Sequence, residues 1–90
     1  MAKMMSLQRI EWIMQYTPEQ FCDVNKDQSI RRMYLQEIQE HIDAINETLT
    51  EISRIPLQEE LRHVKNELLH EREILAHWVD VLKREVEHGN

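Results

Sequence analysis

The sequence has few of the residues that make turns, cross-links or phosphate-binding loops. Its 90 residues include one Gly, two Pro and one Cys. So little Gly and Pro disfavours a fold with many turns and excludes a Gly-rich phosphate-binding loop. The single cysteine, Cys22, excludes an internal disulfide and favours a reducing compartment.

Long apolar runs are also missing. No stretch approaches the roughly 18 residues of a membrane span, and Gln8, Arg9 and Glu11 interrupt the region where a signal peptide would carry its apolar core. The 17 acidic residues outnumber the 11 Lys and Arg residues, so the net charge is −6. This charge disfavours nucleic acid and anionic membranes as partners. We therefore expect a soluble, cytoplasmic protein with no membrane association.

The overall composition, with 31% charged and 41% hydrophobic residues, is typical of amphipathic helices. A capping box from Thr17 to Gln20 begins one helical segment, and Asn25 offers a cap for the next. Gly89 can end the last helix. We predict one helical domain over residues 1–90, with a helix at about 3–16, a short helical turn at 18–24, and long helices at 26–54 and 56–88.

The two long segments each carry an apolar seam with the 3–4 spacing of a coiled coil. The seam of the third segment comprises Leu35, Ile38, Ile42, Ile45, Leu49 and Ile52. The seam of the fourth comprises Leu57, Leu61, Val64, Leu68, Glu71, Leu75, Trp78 and Leu82. The proline at Ile55-Pro56 breaks the register between them, since a continuous helix would place Glu59 and His63 in the seam. The sequence therefore predicts an all-α fold, a long, coiled-coil-like antiparallel helical hairpin.

The apolar face widens at the open end of this hairpin. In the fourth segment it grows to include Ile74, Val79, Val81 and Val86, which is too broad for one partner helix. The third segment widens at the same end through Ile30, Met33 and Tyr34. We expect the first helix to pack there, forming a three-helix base from which a thinner two-helix arm projects.

The first helix carries apolar residues on two sides. One face holds Leu7, Ile10, Ile13 and Met14, and the opposite face holds Met5, Trp12 and Tyr16. Either Phe21 folds over the second face, or that face contacts a second copy or another protein, because aromatic residues and Met are enriched in interfaces. The candidate interface residues are Met5, Trp12, Tyr16 and Phe21, and a homodimer is the favoured interpretation.

A stripe of acidic residues lies outside the seam of the third segment, with no Lys or Arg between Met33 and Ser53. The stripe comprises Glu37, Glu40, Asp43, Glu47 and Glu51. It is either a solvated face or a docking surface for a basic protein partner.

Two motifs resemble metal sites but are incomplete. Three histidines recur at seven-residue intervals, namely His63, His70 and His77. Neighbours in this row are about 10.5 Å apart on a helix, so they cannot share one ion. A calcium-loop spacing begins with Asp23, Asn25 and Asp27, but Gln28 and Tyr34 replace the required Gly and Glu. We therefore predict no metal and no cofactor.

The sequence offers little for catalysis, since Cys22 has no His near it in sequence. We predict a non-catalytic protein–protein interaction protein, such as a regulator, adaptor or inhibitor, acting as a homodimer. One alternative is a structural subunit or assembly chaperone whose arm inserts among other helices. A second alternative is a DNA-associated regulator that uses the basic cluster of Lys26, Arg31 and Arg32.

Overall fold

The computed structural model describes residues 3–88 of the chain, and within this range it contains four α-helices and no strand. They are α1 (Leu7–Met14), α2 (Pro18–Val24), α3 (Gln28–Ser53) and α4 (Gln58–His88). The two long helices α3 and α4 pack against each other as a hairpin, with the short helices at its base. The predicted all-α hairpin is confirmed, whereas the predicted cap at Gly89 lies outside the described residues.

Side-chain caps fix where α2 and α3 begin. The Thr17 hydroxyl accepts a hydrogen bond from the Gln20 N–H at 3.1 Å, and the Gln20 side chain accepts one from the Thr17 N–H at 3.0 Å. This is the predicted capping box. The cap of α3 is Asp27, which accepts from the Ser29 N–H at 2.8 Å, while Asn25 ends α2 by donating to the Phe21 carbonyl at 3.1 Å. The third helix therefore begins at Gln28, slightly later than predicted.

The hairpin turn lies at the predicted proline, but α4 begins at Gln58 rather than at Pro56. The Gln58 amide donates to the carbonyl of Ile52 at 2.9 Å and also to the carbonyl of Ile55. Carbonyls at a helix C-terminus have no intrahelical donor. One side chain of α4 thus bonds a carbonyl in the last turn of α3 and a second carbonyl in the connecting turn, which ties the two arms together.

The first helix is shorter than predicted. It begins after Ser6, whose hydroxyl accepts from the Arg9 N–H at 3.3 Å, and it ends at Met14. Residues 3–6 are not helical. They reach α3 instead, where the Met5 N–H donates to Nδ1 of His41 at 3.0 Å.

The core lies at the base of the hairpin. Its largest fully buried side chains come from α1, α3 and α4, and they are Ile13, Ile38, Ile45, Leu75, Trp78 and Leu82. The second helix adds Phe21 and Cys22 to the same cluster. Each such side chain contributes about 1.5–3 kcal/mol when it is fully buried. The base thus contains α2 as well as the three predicted helices, because α2 presents its own apolar side to α4.

The molecule is elongated, with extents of 50 × 24 × 20 Å. The length follows from α4, whose 31 residues span roughly 46 Å. Across residues 3–88, no helix combines the length and the apolar character that crossing a membrane requires.

Candidate interaction surfaces

All five aromatic residues of the chain form one connected cluster that links the four helices. The Trp12 ring lies 5.2 Å from Tyr16, 6.4 Å from Phe21 and 6.1 Å from Tyr34, measured between ring centroids. The Phe21 ring lies 4.7 Å from Tyr34 and 5.5 Å from Trp78. Edge-to-face and stacked contacts at these distances stabilise the cluster beyond the burial of its area.

This cluster runs from the core to the surface. Phe21 and Trp78 are 3% and 1% exposed, whereas Trp12 and Tyr16 are 41% and 43% exposed. Phe21 therefore lies buried beneath Trp12 and, unlike Trp12 and Tyr16, exposes almost none of its ring. Met5 is half-buried, and its backbone is bound to His41. The side chains of Trp12 and Tyr16 remain exposed, as a role in an interface requires.

Exposed apolar and charged side chains surround this face. Arg9 lies over the Tyr34 ring at 4.7 Å and forms an ion pair with Glu37 at 2.7 Å. A cleft of about 460 Å³ separates residues 3–9 from α3, and its lining includes Met4, Met5, Met33 and Glu40. We call the exposed residues Met4, Trp12, Tyr16 and Met33 the base surface.

A buried polar contact joins the N-terminal segment to both arms of the hairpin. His41 is 3% exposed, and its Nε2 lies 2.6 Å from a carboxylate oxygen of Glu71. Since Nδ1 accepts from the Met5 N–H, the ring proton lies on Nε2 and is donated to Glu71. The sequence prediction missed His41, although Glu71 was a signal because a carboxylate in an apolar seam requires a polar partner.

Arg31 is also buried, at 6% exposure. Its guanidinium donates to the carbonyl of Cys22 at 2.8 Å and to that of Asn25 at 2.8 Å, and it lies 3.7 Å from Glu85. Arg31 therefore fixes the end of α2 against α3 and α4. This placement corrects the predicted basic cluster, because Arg31 is not available to a phosphate group.

Cys22 lies in the same part of the base and is 4% exposed. Burial raises the pKa of its thiol above the ordinary value, and the nearby Arg31 guanidinium opposes this shift only in part. The thiol is therefore protonated at neutral pH, and a protonated thiol is a poor nucleophile.

The acidic stripe is divided by α1. Glu37 is paired with Arg9, and the half-buried Glu40 accepts from the Gln36 amide at 3.4 Å. The remaining three residues, Asp43, Glu47 and Glu51, lie further along α3 and are exposed. Only this outer part of the stripe lies on the arm.

The three spaced histidines lie along α4 in separate surroundings. His63 pairs with Glu67 at 3.0 Å, and His77 pairs with Glu19 of α2 at 3.2 Å. His70 borders a groove of about 410 Å³ that Tyr16, Pro18 and other residues line. Among residues 3–88, no group of three or more His, Cys, Asp or Glu side chains is placed to hold a metal ion. No protein-family model, curated protein or solved structure matches the chain.

Proposed function

We propose that the chain is a non-catalytic protein–protein interaction protein, such as a regulator, adaptor or inhibitor, that acts through its helical surfaces as a homodimer. The observation that carries this proposal is the number of large hydrophobic side chains left exposed. Apart from Leu7, Val24 and Leu69, they lie in two parts of the molecule, the base surface and an arm group made of Ile55, Leu57 and Val64. Isolated exposed apolar residues are ordinary, whereas grouped ones mark interaction sites.

The base surface is the side that we assign to the homodimer. Trp12 and Tyr16 present large apolar area, and the buried Phe21 and Trp78 hold the cluster from below. A side chain held in one position loses little conformational entropy when it binds, so more of its buried area becomes affinity. Aromatic residues with such support are the usual centres of protein interfaces.

The chemistry of Cys22 supports a non-catalytic role. It is the single cysteine of the chain, and its thiol is buried with a raised pKa. A catalytic cysteine needs the opposite, a lowered pKa and access to substrate.

Sedimentation equilibrium over a concentration series tests the homodimer. The unmodified chain should show a monomer–dimer equilibrium, and Trp12→Ser with Tyr16→Ser should weaken it by about 10–100-fold, as expected for the loss of two interface aromatics. Leu69→Ser is the matched control, because Leu69 is 36% exposed and lies on the arm. It should leave the dimer constant unchanged.

Circular dichroism of the same variants separates an interface role from a core role. Helicity retained in the double variant together with loss of the dimer supports the proposal. A monomer at every concentration of the unmodified chain would refute the homodimer. Collapse of the helical signal in the double variant would instead assign Trp12 and Tyr16 to the core.

A further inference from the structure

One side of α4 is covered at the base and open on the arm. Val64, Glu71 and Trp78 recur every seven residues and therefore share one side of α4, and Leu57, directly before the helix, continues the same spacing. Leu57 is 58% exposed and Val64 is 44% exposed, while the side chain of Glu71 is 27% exposed and Trp78 is 1% exposed. Exposure thus decreases steadily from the hairpin turn to the base.

The facing side of α3 shows the same gradient. Ile55 in the turn is 41% exposed, Thr48 is half-buried and His41 is 3% exposed, again at seven-residue intervals. His41 and Glu71 are hydrogen-bonded to each other, so the two stripes border one groove. We call its open part, made of Thr48, Ile55, Leu57 and Val64, the arm shelf.

Among residues 3–88, the cover of this groove at the base comes from α2 and from the segment before α1. Phe21 of α2 lies over Trp78, and the Met5 backbone reaches His41 beside Glu71. The groove continues from Glu71 to Leu57 for about 21 Å, at 1.5 Å per residue. That length accommodates a helix of about four turns.

The rims of the arm shelf are acidic. On α3, Glu51 lies about 60° around the helix from Thr48, on the side away from α4. On α4, Glu60 and Glu67 lie about 40–60° around the helix from Val64, on the side away from α3. Glu67 is paired with His63, whereas the structure shows no ion pair of Glu51 or Glu60 with any residue in the range 3–88.

The cations of this part of α4 lie on its other side. Lys65 and Arg72 are about 80–100° from Val64 in the opposite direction, and Arg62 is further round. Arg72 donates to Asn46 there, at 2.7 Å. The open groove therefore has Ile55, Leu57 and Val64 along its centre, with Glu51 beside Arg54 on one edge and Glu60 and Glu67 on the other.

We propose that the arm shelf binds an amphipathic helix of a partner protein, with aliphatic residues on one face and Lys or Arg on both flanks. This inference rests on the proposed interaction function and adds the site and the chemistry of the partner. An aliphatic face fits Leu57 and Val64, and basic flanks match Glu51 and Glu60. Two copies joined shelf to shelf would place acidic rims against each other, which is unfavourable. The charge of the rims thus selects a basic partner over a second copy.

A designed peptide of about 18 residues tests this inference, since that length spans the shelf. It carries Leu at a and d positions and Lys on the flanks, with a fluorescent label for anisotropy. Control peptides replace every Lys with Glu, or every Leu with Ser. The Lys peptide should bind with a Kd of about 1–100 μM, more weakly at high salt, and neither control peptide should bind.

Variants of the protein locate the site. Leu57→Ser with Val64→Ser should weaken peptide binding at least tenfold, and these exposed residues can be changed without loss of the core. Glu51→Lys with Glu60→Lys should do the same and reduce the salt dependence. Leu69→Ser is the control, because Leu69 lies about 140° from Val64 around α4. This variant should bind the peptide as the unmodified chain does.

Three results would overturn the proposal. They are failure of the Lys peptide to bind, equal binding by the Glu peptide, and binding that the shelf variants leave unchanged. If Leu57→Ser with Val64→Ser abolishes self-association and the peptide does not bind, the shelf belongs to a second copy instead. A monomeric chain that binds the peptide at the shelf would refute the homodimer and support the shelf, so the two proposals fail separately.

Discussion

The contact between His41 and Glu71 allows a direct test of how burial changes the strength of a His–Glu pair. The hairpin contains a matched pair, His63 and Glu67, in which Nε2 again faces a carboxylate oxygen. The buried pair is 2.6 Å apart with 4% and 27% of the side chains exposed, whereas the outer pair is 3.0 Å apart with 83% and 68% exposed. The chemical groups are the same, but the outer pair lies within one helix and is exposed, whereas the buried pair joins two helices.

The structure sets the expected magnitudes. His41→Ala removes the bond from the Met5 N–H, at about 1 kcal/mol, and the bond to the Glu71 carboxylate, at about 1.5–3 kcal/mol. Loss of the buried ring adds to this, so the free energy of unfolding should fall by about 3–5 kcal/mol. The coupling energy between His41 and Glu71 should be about 1.5–3 kcal/mol. For the outer pair it should not exceed about 0.5 kcal/mol.

The assay is a pair of double-mutant cycles, measured by urea denaturation with circular dichroism. The first cycle uses His41→Ala and Glu71→Ala, and the second uses His63→Ala and Glu67→Ala. Equal coupling energies in the two cycles would refute the reasoning, because burial would then have no effect on the pair. A small coupling energy between His41 and Glu71, together with a large loss of stability in His41→Ala, would show that the imidazole stabilises the fold by packing and not by its hydrogen bond to Glu71.

Amide hydrogen exchange gives an independent check on the Met5 contact. The Met5 N–H is protected by His41 Nδ1 and should exchange faster in His41→Ala. The Thr17 N–H, bound by the Gln20 side chain, is an internal reference whose exchange should not change. Unchanged exchange at Met5 would show that its hydrogen bond does not depend on the imidazole.

Three further predictions concern the base. In urea denaturation, Phe21→Ala should lower the free energy of unfolding by about 3–5 kcal/mol. Trp12 is more exposed, so Trp12→Ala should lower it by only about 1–2 kcal/mol. Equal losses would contradict the placement of the two rings. Arg31→Lys should cost about 2 kcal/mol because one ammonium cannot replace both carbonyl contacts, whereas Arg32→Lys should stay within about 0.5 kcal/mol. The raised pKa of Cys22 should make stability fall as the pH rises above the ordinary thiol value of 9.0, since the unfolded thiol ionises first. In thermal denaturation at a series of pH values, the Cys22→Ala variant should lack this fall in stability at high pH.

The hairpin can be predicted from the sequence because its determinants are local. The 3–4 spacing and the proline between the two seams define two antiparallel helices without any tertiary information. All six predicted seam residues of α3 are buried or half-buried in the structure: Leu35, Ile38, Ile42, Ile45, Leu49 and Ile52. The seam of α4 fails at Leu57 and Val64, since burial there would require a third helix over the arm.

The buried polar residues cannot be found from periodicity alone. Arg31 lies four residues before Leu35, so the α3 seam extended by one turn passes through it, but only the position of α2 provides its acceptors. His41 is next to the seam residue Ile42 and becomes buried because residues 3–6 reach it from a distant part of the chain. Such long-range contacts depend on how α1 packs, which helical spacing does not specify.

The polar contact at His41 also accounts for the register of the N-terminal segment. An apolar groove stabilises a helix about equally well at several positions along its length, because hydrophobic burial is not directional. The Met5 hydrogen bond and the pair of His41 with Glu71 have a fixed geometry, and a slide by one turn of about 5.4 Å would break the bond from the Met5 N–H. A single buried polar position can specify register in this way in coiled coils. The position of Met5 along α3 therefore follows from His41.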